Sequence, residues 1–302
     1  MKPFSRHALY RSKKTPVSTF GVIIGIVLTV YVIGMMLLFL WALSTALKTT
    51  DNFDRDPLGW TRSWAWTNFG DVFMKMRVQV SGNDGGRHWV YLDQMFLYSL
   101  LYAGGAAFIQ TLTTATMAYM TSTYKNWFSR ILHTIVIITL ILPIVGNTAS
   151  FLQIMTDLHL YDHFYGIYIM KIGFNNIYYL IFYAAFSKIP KDYRESARID
   201  GANLLQLYTR ISFPMVSSLF WTVFLLLFIG YWNDYQTPLL FLPDKPTAAL
   251  GLYYFLQSTD PAFANPPMKV AAGICVFIPI FIVFLIFRNR IMQDLNEGGI
   301  KG

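Results

Sequence analysis

Six stretches of mostly apolar residues dominate this chain, each about 20 residues long, the length at which a helix crosses the ~30 Å hydrocarbon core of a bilayer. They lie at about Phe20–Leu43, Phe96–Met120, Ile131–Met155, Gly166–Phe186, Val216–Leu240 and Val270–Phe287. Composition closes the other options. Of 302 residues, 55% are hydrophobic and only 13% are charged, about half the share of an ordinary soluble domain. Aromatic residues make up 17%, whereas disordered chains are poor in them. The expected fold class is an all-α integral membrane protein with six transmembrane helices.

Basic residues orient these spans. Cytoplasmic loops carry the excess of Lys and Arg, and short loops carry the signal best. Segments 1–19, 121–130, 187–215 and 288–302 hold 5, 2, 5 and 3 of them. Segments 44–95, 156–165 and 241–269 hold 6, 0 and 2. The short loop 156–165 has none, whereas 121–130 has Lys125 and Arg130 and no acid. Both termini are therefore expected in the cytoplasm. The order reads as a cytoplasmic basic N-terminus (1–19), span one (20–43), a long external loop (44–95), spans two to four (96–120, 131–155, 166–186), a cytoplasmic loop (187–215), span five (216–240), an external loop (241–269), span six (270–287) and a cytoplasmic tail (288–302). The net charge of +8 follows from this bias and calls for no nucleic acid. Span one is longer than the 7–15 residues or so of a signal-peptide core, so it reads as a retained anchor.

Motifs of covalent chemistry are missing. The chain has no Gly-x-x-x-x-Gly-Lys-Ser/Thr, His-Glu-x-x-His, Cys-x-x-Cys or Gly-x-Ser-x-Gly. His159 and His163, with Asp157 and Asp162, read as polar loop residues before a metal site. Cys275 reads as a small buried hydrophobe. Loop 44–95 carries Trp60, Trp64, Trp66 and Trp89 and the flexible stretch Ser81–Gly86; its tryptophans suit either the headgroup level or an external partner. Ser99, Ala103, Ala107, Thr111 and Ala115 recur at helical spacing and form a close-packing face. Pro143 and Pro279 lie inside spans, where each removes a backbone donor.

Polar groups within spans are few. Trp232-Asn233-Asp234-Tyr235 closes span five. A buried charge there is costly, so Asp234 belongs at the external interface, in a wet pathway or in a structural hydrogen bond. Asn233, Asp234 and Tyr235 form a candidate sugar-lining cluster, since aromatic rings stack on sugars and Asn and Asp bind hydroxyls. Asn147 is a further candidate.

Loop 187–215 is the most informative segment. Pro190 suits a helix start, and Tyr193 and Ala197 share a face, as do Glu195 and Ile199. Gly201 is placed for a left-handed C′ position. A second helical stretch, from Ala202 to about Ile211, leads to Pro214 and span five. So short a helix is marginal alone and needs a partner surface.

Glu195-Ser196-Ala197, Gly201 four residues after Ala197, nine further residues and then Ile211-Ser212-Phe213-Pro214 resemble the EAA loop of ABC importer permeases, with Ser196 and Phe213 as modest departures. The tail Asn296-Glu297-Gly298-Gly299-Ile300-Lys301-Gly302 is similar to that of the maltose-type second permease subunit. Trp232–Tyr235, Pro238-Leu239-Leu240 and Thr67-Asn68-Phe69 resemble segments of the same carbohydrate branch.

The resemblance implies the type I importer permease fold in a bacterial or archaeal cell membrane. It implies a helix at about Lys191–Asp200 seated in a cytoplasmic ATPase, with Tyr193, Glu195, Ser196, Ala197, Asp200, Gly201 and Pro214 as coupling residues. Gly298, Gly299 and Lys301 would enter between two ATPase subunits. The implied partners are a second, different permease, those two ATPases and an external solute-binding protein facing loop 241–269. No cofactor is expected in this chain, with ATP and Mg bound by the ATPase. The expected role is a non-enzymatic permease subunit of an oligosaccharide importer, working by alternating access. The rivals are an importer permease for a non-sugar solute, an ion-gradient transporter and a membrane enzyme. The last would need paired catalytic groups, and a secondary transporter commonly shows an inverted repeat; the chain displays neither.

Overall fold

The computed structural model describes residues 19–81, 86–142, 146–174, 176–259 and 265–299, with side chains as far as Arg288. The first apolar stretch forms α1 (Thr19–Ala46). Its membrane part is accessible on every side, Phe20 to 72% and Val30 to 65%. A helix apolar all round finds its burial in lipid or in another chain.

The long loop that follows is folded. It holds α2 (Thr50–Arg55), α3 (Thr67–Lys75) and an antiparallel hairpin of β1 (Arg77–Ser81) and β2 (Arg87–Tyr91), with Val78 opposite Val90. The hairpin is a small addition to a mostly helical fold. Val78 and Val80 alternate inward between polar neighbours. Lys48 is fully buried and donates from Nζ to the carbonyls of Asp56 (2.7 Å) and Pro57 (3.2 Å). Asn68 Nδ2 donates to the carbonyls of Ala46 (2.8 Å) and Lys48 (2.9 Å). Two polar side chains thus hold the loop to the end of α1. Trp60, Trp64 and Trp66 are exposed, and Trp64 stacks on Trp66.

The centre of the fold is α4 (Leu92–Thr123). Ser99, Ala103, Ala107, Thr111 and Ala115 are each accessible to 1% or less, as a close-packing face requires. After it come α5 (Trp127–Ile141), α6 (Thr148–Asp157), α7 (Phe164–Met170), α8 (Tyr178–Ser187), α9 (Lys191–Ile199), α10 (Leu204–Gln206), a π-helix (Leu207–Ser212), α11 (Phe213–Met215), α12 (Ser217–Trp232), α13 (Gln236–Phe241), α14 (Ala248–Gln257) and α15 (Pro266–Gly299). Ala103 and Ala107 meet Phe228 and Trp232 of α12 and Ile280 of α15. Ala115 and Ala118 meet Tyr179, Phe182 and Phe186 of α8. At Gly105 an added Cβ would stand 2.2 Å from the Tyr168 ring of α7. Cys275 is buried, as a small hydrophobe should be.

Among the described residues, three helices are long and apolar enough to cross a bilayer, α1, α4 and α15 to Arg288; a fourth is added if the bent pair Leu204–Met215 and Ser217–Trp232 is one span. Stretches 131–155 and 166–186 are each divided instead of continuous. Pro143 lies outside the described residues. Between α7 and α8 the chain opens at Gly173, whose carbonyl accepts from Thr113 Oγ1 (3.1 Å) and Thr114 Oγ1 (3.2 Å). Asn176 Nδ2 donates to Thr114 Oγ1 (2.8 Å). Backbone that leaves a helix needs partners elsewhere in the protein, and two threonines of α4 supply them here. The last helix does not stop at 287 but continues to Gly299; no proline or glycine lies between Arg288 and Glu297.

Loop contacts sort the two ends. At one end Asp162 pairs with Lys245 (2.7 Å) and accepts from the Asp244 N–H (3.2 Å), while Asp244 accepts from the Ser81 N–H (3.1 Å). His159 and Asp162 take left-handed φ of 54° and 56° in this turn. Among the described residues no cluster could hold a metal. Burial first, then the carboxylates of Asp162 and Asp244, pushes the Tyr161 hydroxyl above its ordinary value. At the other end Arg194 donates to Thr123 Oγ1 (3.1 Å). Filling the α4 face tests its role. Ala107→Leu should cost about 1–3 kcal/mol by overpacking, read as a lower melting temperature of the purified protein in detergent.

Candidate functional site

Helix α9 follows Pro190 with Asp192 in its first turn and Arg198 in its last, charges that complement the helix dipole. No residue of α9 is buried. Its C-terminus is a Schellman motif. Gly201 has φ +84°, its N–H bonds the Arg198 carbonyl (3.0 Å), and the Ala202 N–H bonds the Ala197 carbonyl (2.9 Å). The chain restarts at once. Asn203 Oδ1 accepts from the Gln206 N–H and Gln206 Oε1 from the Asn203 N–H, both at 2.9 Å, a capping box that opens α10.

The stretch expected as a simple second helix is instead π-helical over Leu207–Ser212. The chain then bends by 77° between Leu204–Met215 and Ser217–Trp232. Tyr208 pins this turn to α4. Its hydroxyl hydrogen-bonds Thr116 Oγ1 (3.0 Å), and its ring lies 4.7 Å from Tyr119 and 5.9 Å from Phe213. Sequence reasoning passed over Tyr208; the available signal was Leu207-Tyr208 inside an otherwise polar loop.

The surface that α9 and α10 present is uncovered. Tyr193 is accessible to 56%, Ile199 to 87%, Leu204 to 61% and Leu205 to 68%. Glu195, Ser196, Asp200, Gly201 and Pro214 are exposed too, and Ala197 is half-buried. The structure thus brings Tyr193, Glu195, Ser196, Ala197, Asp200 and Gly201 onto one short, capped element, with Pro214 apart from them on α11. Gly298 and Gly299 are the last two residues of α15, and Lys301 lies outside the described residues.

The other candidate cluster sits where α12 gives way to α13. Asp234 Oδ2 accepts from the Tyr102 hydroxyl of α4 (2.7 Å), and its Oδ1 accepts from the Thr237 N–H (3.0 Å). The Tyr231 hydroxyl donates to Gln110 Oε1, its ring meets Tyr102 edge-on, and Lys171 Nζ lies 4.7 Å from its centroid. Asp234 thus ties the helix break to α4. Asn233 Nδ2 donates to the Ile229 carbonyl (2.8 Å), and Tyr235 stacks on Tyr253 at 4.6 Å. Asn147 precedes α6, and among the described residues no hydrogen bond or ring contact joins it to this cluster. Tyr102, Gln110 and Lys171 were not singled out by sequence.

The chain belongs to the family of binding-protein-dependent transport system inner membrane components, whose pattern matches residues 94–296. It is 37% identical over 132 residues, 40% of its length, to "Probable ABC transporter permease protein MG189 homolog" of Mycoplasma pneumoniae, and the matched stretch spans 41% of that protein. It is 24% identical over 217 residues to the melibiose/raffinose/stachyose import permease of Bacillus subtilis, covering 70% of this chain and 77% of that one. Its fold matches a chain of a bacterial ABC transporter involved in the import of the acidic polysaccharide alginate, with a TM-score of 0.75 at 19% identity over 95% of this chain and 99% of that one.

Two substitutions probe the geometry. At Gly201 an added Cβ meets nothing within 4 Å, so Gly201→Ala carries only the left-handed backbone cost, about 1–2 kcal/mol. Faster amide exchange in 191–206, with the remaining helices unchanged, is the expected reading. Tyr102→Phe removes a hydrogen bond to a carboxylate, a loss of about 1.5–3 kcal/mol. Added to Asp234→Asn it should cost little more, and a thermal-stability double-mutant cycle reads that coupling.

Proposed function

We propose that this chain is the permease subunit of an ATP-driven, binding-protein-dependent importer of an oligosaccharide. The observation that carries the reading is the uncovered surface of α9 and α10. An amphipathic helix held by a Schellman motif and a capping box, with Ile199, Leu204 and Leu205 exposed, is built to seat in another protein. In this reading that protein is a cytoplasmic ATPase that binds ATP and Mg, while this chain binds no cofactor. Glu195 makes the charged contact, Ser196 and Ala197 allow close packing, Tyr193, Asp200 and Pro214 flank it, and Gly201 sets the turn. Gly298, Gly299 and Lys301 enter between the two ATPase subunits.

The rest of the reading is six membrane passages with both termini cytoplasmic, a second permease as heterodimer partner, and a binding protein delivering sugar to the external loops. The charge bias of the loops supports that orientation. The two-ended sorting of loops is compatible with it. The sugar class is supported by relatives named for melibiose, raffinose and stachyose, and for arabinooligosaccharides. Asn233 and Tyr235, with Asn147, are proposed to line the pathway, and Asp234 to hold that lining in place.

Mechanically, closure of the ATPase dimer carries α9 with it. Tyr208 transmits the motion to α4, and the bend before α12 lets the spans reorient. The test is ATPase activity of the reconstituted complex with and without loaded binding protein. Stimulation in wild type that vanishes in Glu195→Ala is the expected result. Equal stimulation in both would remove Glu195 from the path, and failure to bind any ATPase would overturn the importer reading.

A further inference from the structure

Beneath α9, at the foot of α5, the helices leave a cavity of about 450 Å³ lined by Lys125, Ser129, Arg130, His133, Thr134 and Tyr183, among others. None of its lining residues is a carboxylate. Neither Lys125 nor Arg130 belongs to an ion pair; among the described residues the salt bridges are Lys75–Asp71 and Lys245–Asp162. A neighbouring cavity of about 550 Å³ shares Lys125 and Tyr183 and adds Lys191, Arg194 and Arg198, with Glu195 as its single acid. The walls are set. His133 Nδ1 is bonded to the Tyr179 hydroxyl (2.8 Å), and its ring stacks on Tyr183 at 4.4 Å.

The surroundings say what kind of anion fits. Trp127 is 69% accessible at the first turn of α5, and an exposed Trp at a helix end marks the headgroup level. From there Ile131, Ile135 and Ile138 continue along α5, each accessible to more than 40%. The basic hollow thus lies at the start of a helix whose exposed side is apolar. Basic pockets between helices on the cytoplasmic side attract anionic headgroups, and each Lys or Arg near such a surface contributes a fewfold in binding.

We infer that this cavity seats the headgroup of an anionic phospholipid, its phosphate between Lys125 and Arg130 and an acyl chain along Ile131, Ile135 and Ile138. The inference rests on the proposed topology only in naming the leaflet as cytoplasmic. Because Lys125 borders both cavities, the bound lipid would lie directly under the helix that carries Glu195.

The test is lipid retention by the purified complex, which requires neither ATP turnover nor sugar. In nanodiscs of phosphatidylglycerol and phosphatidylcholine, native mass spectrometry should find phosphatidylglycerol kept by wild type. Its affinity should fall roughly 30-fold in Lys125→Gln/Arg130→Gln, about fivefold for each charge. A photoreactive phosphatidylglycerol should label wild type within 121–138, with phosphatidylglycerol competing and neither phosphatidylcholine nor millimolar inorganic phosphate doing so. That arm stands even if the double variant fails to assemble. Equal retention by wild type and variant, labelling elsewhere, or equal competition by phosphatidylcholine would overturn the inference. Displacement by inorganic phosphate would make the hollow a phosphate site and overturn it as a lipid site. A complex that keeps the lipid but shows no Glu195-dependent ATPase would refute the coupling reading alone.

Discussion

Helices in a bilayer gain nothing from hiding apolar surface from one another, because lipid is as apolar as they are. Their cohesion must come from close contact and from polar groups that reach across. The central helix α4 supplies both. Its small-residue face lets α12 and α8 approach closely, and hydroxyls on this and other sides of the helix meet backbone the neighbours have left open. Thr113 and Thr114 take up the break at Gly173, and Ser99 Oγ accepts from the Ala248 N–H at 2.7 Å. The broken helices of this fold exist because one unbroken helix runs beside them.

This division explains what could be read in the chain and what could not. The small-residue spacing on α4, the helix after Pro190 and the left-handed Gly201 are local patterns, and each is visible in a few adjacent letters. Where a helix divides is decided by partners far off in sequence. Nothing near Gly173 announces that threonine hydroxyls about 60 residues earlier will donate to its carbonyl. The same holds for Asp234, whose hydrogen-bond partner Tyr102 lies 132 residues away. The hairpin is a different case. The Val78–Val80 alternation was legible, but the apolar stretches on either side drew the reading toward helices alone.

Polar anchoring also separates the two candidate clusters. At the α12–α13 break, Tyr102, Tyr231, Gln110 and Thr237 tie the side chains into a network. On α9 Arg194 bonds Thr123 of α4, while Tyr193, Glu195 and Ile199 stay exposed and the backbone is held by the turn at Gly201. One cluster is suited to hold shape, the other to be gripped from outside. Tyr208 links the gripped element to the central helix through a single hydroxyl and a set of rings.

The π-helical turn has a consequence for how the chain can vary. A π turn accommodates one residue more than an α turn. Successive residues of an α-helix are set about 100° apart around the axis. Losing one residue between Leu207 and Ser212 would let the turn close to ordinary α winding while the flanking turns keep nearly the same facing, because the widened turn is what absorbs the additional residue. The segment can therefore shorten by one without turning α12 away from α4, whereas a deletion within α12 itself would rotate every later residue by about 100°. The junction between loop and membrane is thus a place where the chain length can change while the helix beyond it stays seated.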